Sequence, residues 1–357
     1  MEASAGIVNI VGAGPAGSAL ASMLARRGFE VRVYEQASKP GLKPCGRAIP
    51  KSVDLSRLGL EPPGECIVNR LAGARLYVDG EFAVEVTGLE GFIIDRTCYT
   101  SILLDNNNIN VYFKSHYVWK ANTVKLHDGT IVRLPPENTI LAVGSPGYQG
   151  EKIDAVQAII PASSSLPVED EKIDVYFDTE ILGYYWLFPR GDGTVEAGVG
   201  GYRSAGGLLK LLYKFLDHIG SAKPIRVEGA KIAVGGVNVP EGWPLKVGEA
   251  AGFVLPLTGE GIRPSILSAA AVAEAIAGGS DPRRSMLKSR MAEAVNAQRY
   301  ILEKMKRLKP EARRKVLLSI PGDLHAKVAL GEFTLGELKR AALTRPRLMA
   351  VLLRYLL

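Results

Sequence analysis

Cysteine is scarce in this 357-residue chain, with 3 residues, too few for a disulfide framework. That scarcity favours a reducing cytoplasm over secretion, and it makes Cys66 and Cys98 packing residues. Only 4 His occur, at 116, 127, 218 and 325, and no spacing among them suits a metal, so no metal site is expected. No apolar run approaches the ~18 residues that span a bilayer. The first residues, Met1 to Gly6, lack a basic region and lead straight into a folded motif, so no signal peptide is expected. Zinc-finger spacing and RNA-recognition aromatic motifs are both missing, and a nucleic-acid partner is not expected. These absences exclude the transmembrane, collagenous and disulfide-stapled classes.

What remains is ordinary globular chemistry, with 47% hydrophobic and 23% charged residues. The length suggests two domains, or one large domain carrying an insertion. The formal net charge of +7 is uneven, because residues 283–357 hold 18 Lys/Arg against 6 Asp/Glu. A basic, Leu/Ala-rich helical tail is either a solvated packing face or a surface for acidic lipid headgroups.

Along the chain, Ile7 to Val11 is a short apolar run that ends in Gly12, as a buried parallel strand does. A helix is expected from Ala16 to Arg27, stopped by Gly28, then a strand from Val31 to Glu35. Lys39 to Pro50 is a loop punctuated by Pro and Gly. From about Pro62 to Gly91 the pattern turns to strand alternation around an Asp79-Gly80 turn, and Asp174 to Tyr202 is again β. Between and after these, Asp95 to Asp105 is helical, Ile140 to Val143 and Lys246-Val247 are strands, and Ile262 to Ala277 is a small-residue helix. The expectation is an α/β fold. A discontinuous Rossmann-like domain takes 1–62, 92–155 and 229–282, an inserted antiparallel β-sheet domain takes 63–91 and 156–228, and 283–357 is a basic helical segment.

Gly12-Ala13-Gly14-Pro15-Ala16-Gly17 fits G-x-G-x-x-G in its proper setting, after a strand and opening a helix. Gly12 permits the turn, Gly14 lets the backbone approach a pyrophosphate, and Gly17 lets helix and strand pack closely. Glu35, at the end of the next strand, accepts hydrogen bonds from ribose hydroxyls and repels a 2′-phosphate, which favours FAD or NAD over NADP. A second fingerprint is absent, and one dinucleotide site points to a resident FAD. In Val247 to Phe253 and Pro256 to Ile262, the acidic Glu249 is placed for ribityl hydroxyls. The turn at Gly259 and Gly261 brings backbone amides to an isoalloxazine edge.

These segments, with Pro44-Cys45-Gly46, Asp95-Arg96 and Tyr184-Tyr185-Trp186-Leu187-Phe188-Pro189, resemble the geranylgeranyl reductase family. That family is a branch of the para-hydroxybenzoate-hydroxylase-like flavoproteins. The resemblance runs from about Val8 to Ala277 and includes the archaeal digeranylgeranylglycerophospholipid type. It implies FAD contacts at Gly12, Gly14, Ala16, Gly17, Glu35, Gly46, Ala48, Arg96, Val118, Glu249, Gly259, Gly261 and Ile262. It also implies a prenyl cavity walled by Tyr184, Trp186, Phe188 and Pro189, of which the three aromatics share one strand face. The family has Asp where this chain has Glu249, and its C-terminal part, which helps close the cavity, is longer.

The activity implied is saturation of C=C bonds in a polyprenyl lipid or prenyl diphosphate, with a ferredoxin-like protein or NAD(P)H as electron donor. The location implied is cytoplasmic, with peripheral contact at the inner membrane surface through the basic tail. Cys45 is the flavin-proximal catalytic candidate, and Tyr184 and Tyr185 are candidate proton donors. Two other readings stand beside this one. A monooxygenase of the same fold would carry an Asp-Gly pair at the strand end where this chain has Val143-Gly144, which weakens that reading. A non-catalytic prenyl-binding flavoprotein rests on Glu249 and the short tail.

Overall fold

The apolar run that opens the chain forms β1 (Ala5–Val11), and α1 (Pro15–Ala25) follows across the glycine turn. The computed structural model that gives these elements describes residues 5–163, 166–221, 223–332, 336, 340 and 344–355. Next come β2 (Phe29–Tyr34), β3 (Ala48–Pro50), α2 (Val53–Arg57), β4 (Ile67–Val78), β5 (Glu81–Ile94) and α3 (Arg96–Leu104). Short strands follow: β6 (Ile109–Tyr112), β7 (His116–Val118), β8 (Thr123–Lys125), β9 (Ile131–Arg133) and β10 (Thr139–Leu141). Then come β11 (Lys152–Pro161), β12 (Lys172–Asp178), β13 (Gly183–Pro189), β14 (Thr194–Gly201), α4 (Ala205–His218), β15 (Arg226–Ala233) and β16 (Leu245–Lys246). Helices α5 (Ile262–Ala277), α6 (Pro282–Leu287), α7 (Arg290–Arg307), α8 (Pro310–Ser319), α9 (Gly322–Ala329) and α10 (Pro346–Tyr355) complete the described chain.

Five strands form a parallel sheet in the order β16-β10-β1-β2-β6, drawn from three separated stretches of chain. Helices α1 and α5 share its core, and their alanines (Ala16, Ala19, Ala269, Ala270 and Ala273) let the backbones come close. A Cβ on Gly17 would sit 1.9 Å from the Gly12 carbonyl oxygen, so the third fingerprint glycine is a packing requirement.

The second sheet has eight strands in the order β15-β11-β14-β13-β12-β4-β5-β3. It is mixed rather than antiparallel throughout, because β4 and β12 run parallel. The β4–β5 hairpin and the β12–β14 meander come from distant stretches, so their junction is a crossover that no hairpin turn dictates. Strands β3 and β15 also join this sheet, although their residues lie within or across the stretches expected to build the nucleotide half. At the hairpin tip, Asp79 and Gly80 take φ of 49° and 85°, the left-handed pair that a two-residue turn needs. One face of the sheet buries Val156, Ala158, Ile160, Leu187, Val195 and Ala197 against Leu208, Leu212 and Leu216 of α4. The opposite face is left for the cleft.

Cys66 and Cys98 are not separate packing residues. They form a disulfide with Cα atoms 5.5 Å apart across a sequence separation of 32. The β4–β5 hairpin returns the chain to its starting point, with Ile67 opposite Ile94 and the Asp95 N–H donating to the Cys66 carbonyl at 2.8 Å. Only that return puts α3 beside Cys66.

Candidate functional site

Two helices point their N-termini into one cleft. The N-cap of α1 is Gly14, which leaves its first amides without a side-chain partner, and that of α5 is Gly261, where the Glu260 carboxylate accepts the Arg263 N–H at 2.8 Å. Uncapped amides at a helix N-terminus favour an anionic or oxygen-rich ligand. A Cβ on Gly14 would meet nothing within 4 Å, so the space in front of α1 is open to a pyrophosphate. Glu35 faces the same cleft, where its carboxylate accepts the N–H of Ala13 at 2.7 Å and of Ala37 at 2.8 Å. These bonds hold the carboxylate at the strand end while leaving it free to accept more.

The Gly41 to Gly46 loop crosses this cleft. Arg96, only 6% exposed, fixes it by donating to the carbonyls of Gly41, at 2.7 and 2.8 Å, and of Lys43. Lys43 Nζ in turn bonds Glu249 Oε2 at 2.6 Å and the Lys231 carbonyl at 3.1 Å. The other oxygen of Glu249 accepts the Ala233 N–H at 3.2 Å. The carboxylate expected for ribityl hydroxyls therefore also latches the loop, an ion pair the sequence did not disclose.

The aromatic strand faces the cleft as the period-2 argument requires. Tyr184 pairs with Gly200, Trp186 with Gly198 and Phe188 with Glu196 across β13–β14. A Cβ on Gly198 would lie 2.0 Å from the Trp186 ring, so the glycines of β14 make room for the aromatics. Ring centroids are 5.9 Å apart for Tyr184–Trp186 and 6.1 Å for Trp186–Phe188. The Tyr184 hydroxyl donates to the Thr258 carbonyl, clamping the Thr258-Gly259 turn beside the N-terminus of α5. Burial pushes the Tyr184 phenol well above its usual range, so it holds the turn and makes a poor acid. Tyr185 points to the other face, against Phe215, which removes it as a proton donor to the cleft.

Beyond the aromatics the cleft deepens, and cradle and deep end together enclose about 1120 Å³. Leu76, Val175 and Phe177 continue the sheet wall. Opposite them, Met305 of α7, Leu317 of α8, and Leu324 and His325 of α9 form a cover. These helices belong to the segment where the family resemblance is weakest.

Most expected residues converge on this cleft. Gly12, Gly14, Ala16, Glu35, Cys45, Gly46, Ala48, Arg96, Tyr184, Trp186, Phe188, Glu249, Gly259, Gly261 and Ile262 all line it. Gly17 packs behind the turn, Pro189 is buried in its strand away from the lining, and Val118 lies on the surface at 45% exposure. Cys45 is the free cysteine, with its Sγ accepting the Arg47 N–H at 3.3 Å. Reasoning from sequence missed Lys43, the buried Glu196 and the cover. For Glu196 a signal existed, namely a carboxylate at an inward position of an apolar strand.

The family model described as an NAD(P)-binding Rossmann-like domain matches residues 10–48. Digeranylgeranylglycerophospholipid reductase 2 of Methanopyrus kandleri is 28% identical over 295 residues, which is 73% of this chain and 74% of the relative. Geranylgeranyl diphosphate reductase of Rhodobacter capsulatus is 27% identical over 280 residues, 71% of this chain and 70% of the relative. Among solved structures, a geranylgeranyl bacteriochlorophyll reductase-like protein of Thermoplasma acidophilum shares the fold. Its TM-score is 0.76 and its identity 21%, and the match covers 93% of this chain and 98% of that one. The chain is thus similar to the geranylgeranyl reductases, opens with a Rossmann-like domain and shares its fold with a geranylgeranyl bacteriochlorophyll reductase-like protein.

Proposed function

We propose that this protein is an FAD-dependent reductase that saturates C=C bonds of a polyprenyl chain carried by a lipid or a prenyl diphosphate. The observation that carries the reading is one continuous space. A dinucleotide-type cradle opens directly into an apolar cavity whose near wall is Tyr184, Trp186 and Phe188. The uncapped amides behind Gly14, the glycine turn at Gly259 to Gly261, the carboxylates of Glu35 and Glu249, and the loop pinned by Arg96 suit an FAD molecule in this cradle. When bound and reduced, FAD supplies hydride to one alkene carbon.

The chain does the rest. An isolated alkene offers no oxygen to grip, so the walls must orient it by shape and exclude water. The aromatic faces also favour any positive charge that develops on a branched carbon. Arg313, which donates to the carbonyls of Met305, Lys306 and Thr179, ties the cover to the sheet and keeps the cavity closed. The basic C-terminal segment supplies a face for anionic headgroups when the substrate is held in a bilayer. The electron donor is a ferredoxin-like protein or NAD(P)H.

Anaerobic mixing of the photoreduced protein with a geranylgeranyl lipid tests this. Flavin reoxidation without oxygen, together with a lipid two mass units heavier, is the expected result. Reoxidation that needs oxygen would make the protein an oxygenase, and binding with no redox change would make it a carrier.

A further inference from the structure

Two buried side chains, Gln298 and Arg263, join the cover to the turn beside the cradle, and the activity described so far uses neither. Helix α9 spans the distance. At its start, a Cβ on Gly322 would lie 3.2 Å from Val84 of β5, and Ala326 packs on the cluster of Ala74, Leu76 and Val86. Its inner face gives Leu324, His325, Val328 and Ala329 to the cavity. The last carbonyls of a helix have no partner within it, and at the end of α9 two of them meet these side chains. Gln298 of α7 donates from Nε2 to the Val328 carbonyl at 2.8 Å, and Arg263 of α5 donates to the Ala329 carbonyl at 3.2 Å. A cation there also suits the negative end of the helix.

The same two side chains hold the turn that precedes α5. Gln298 Oε1 accepts the Leu257 N–H at 3.1 Å, and Arg263 pairs with the Glu260 carboxylate at 3.1 Å. Gln298 is 0% exposed and Arg263 3%. Only one orientation of the Gln298 amide serves both of its partners, since the N–H needs the oxygen and the carbonyl needs the nitrogen. Leu257, Gly259, Glu260 and Gly261 in turn line the cleft.

We propose that Gln298 is a positioning residue that couples the roof of the prenyl cavity to the flavin-side turn. A prenyl chain seated under α9 then steadies the turn through this one amide, and the backbone amides that face the flavin are set when substrate is in place. The proposal rests on the reading of the cleft as an FAD and prenyl site. Coupling of this kind is reciprocal, so an ordered turn also tightens the hold of α9 on the chain. Gln298 does not line the cleft, and it acts only through Leu257 and Val328.

The test uses the FAD-loaded full chain with oxidised flavin, so that no turnover occurs, and geranylgeraniol as the probe. Hydrogen exchange is read in residues 322–329 and 255–261. In the wild type the probe is expected to slow exchange about tenfold in both segments, within the range of coupling between sites. Gln298→Met keeps the length of the side chain and removes both hydrogen bonds. It should keep the protection of 322–329 and lose that of 255–261. A wild type in which the probe protects only 322–329 overturns the proposal even if the variant does not fold. Protection of both segments in Gln298→Met overturns it too, because the probe then acts on the turn by direct contact. Loss of both in a variant that still binds the probe overturns it as well, leaving Gln298 a packing residue alone. A wild type that binds no geranylgeraniol sinks this proposal and the prenyl reading together. If the wild type and Gln298→Met behave as expected but a geranylgeranyl lipid never reoxidises the photoreduced flavin, the coupling stands and the reductase reading fails.

Discussion

The two ends of the cleft are built by different means. The cradle is made of backbone: the uncapped N-terminus of α1, a glycine turn before α5 and a loop held by its carbonyls. The cover is made of side chains, with Met305, Leu317 and Leu324 from three helices closing over a sheet face. Backbone construction imposes local rules, because only certain residues permit a left-handed turn or an approach without a Cβ. Side-chain construction imposes only volume and polarity, which many sequences satisfy. The cradle is therefore rigid in its sequence requirements and the cover is tolerant.

The sharpest way to break that contrast is at Gly17. With a Cβ aimed 1.9 Å from the Gly12 oxygen, Gly17→Val is expected to cost more than about 3 kcal/mol and to abolish flavin retention. A yellow, stably folded variant in urea unfolding would refute the account of the cradle. A comparable effect is expected at the Cys66–Cys98 bridge, which ties the start of β4 to α3. Losing a disulfide that closes a separation of 32 residues is worth about 4 kcal/mol on the chain-entropy account. Cys98→Ser should lower the melting temperature, and it should loosen the loop that Arg96 holds two residues earlier. Identical melts for variant and wild type, with and without reductant, would remove the bridge from the argument.

The smallest effect belongs to the cover. Burial lowers the ionisation of His325 from 6.5 to about 4, against a weaker opposing bond to the Leu317 carbonyl. The folded value lies below the unfolded one. The stability held by the neutral ring is thus fully present above pH 6.5 and is lost as pH falls towards 4. The loss is about 2 kcal/mol after discounting for the ring's partial exposure. His325→Phe, which keeps the stacking on Phe177, should remove that acid-side slope when unfolding free energies at pH 4 and pH 7 are compared. An unchanged slope would place the ring in water.

The contrast also explains what was legible. The fingerprint, Glu35 and the α5 turn are contiguous or nearly so, and each residue is dictated by a local backbone demand, so they stood out from the sequence. The aromatic face followed from strand alternation. The mixed sheet did not, because nothing local specifies that β4 pairs with β12. Nor did the Lys43–Glu249 pair, which joins residues 206 apart in the chain. Glu196, an acid in an apolar strand, was missed, because its burial is decided only when the sheet is assembled.

The order of apolar and small residues by itself determined a dinucleotide cradle, an acidic strand end and a strand with three rings on one side, since each is enforced within a few residues by sterics or by the two-residue repeat. Which helices roof the cavity, which cysteines meet and which acid the sheet buries were decided only when distant segments packed. Those contacts are set by shape and burial across the whole chain, and no short stretch of it encodes them.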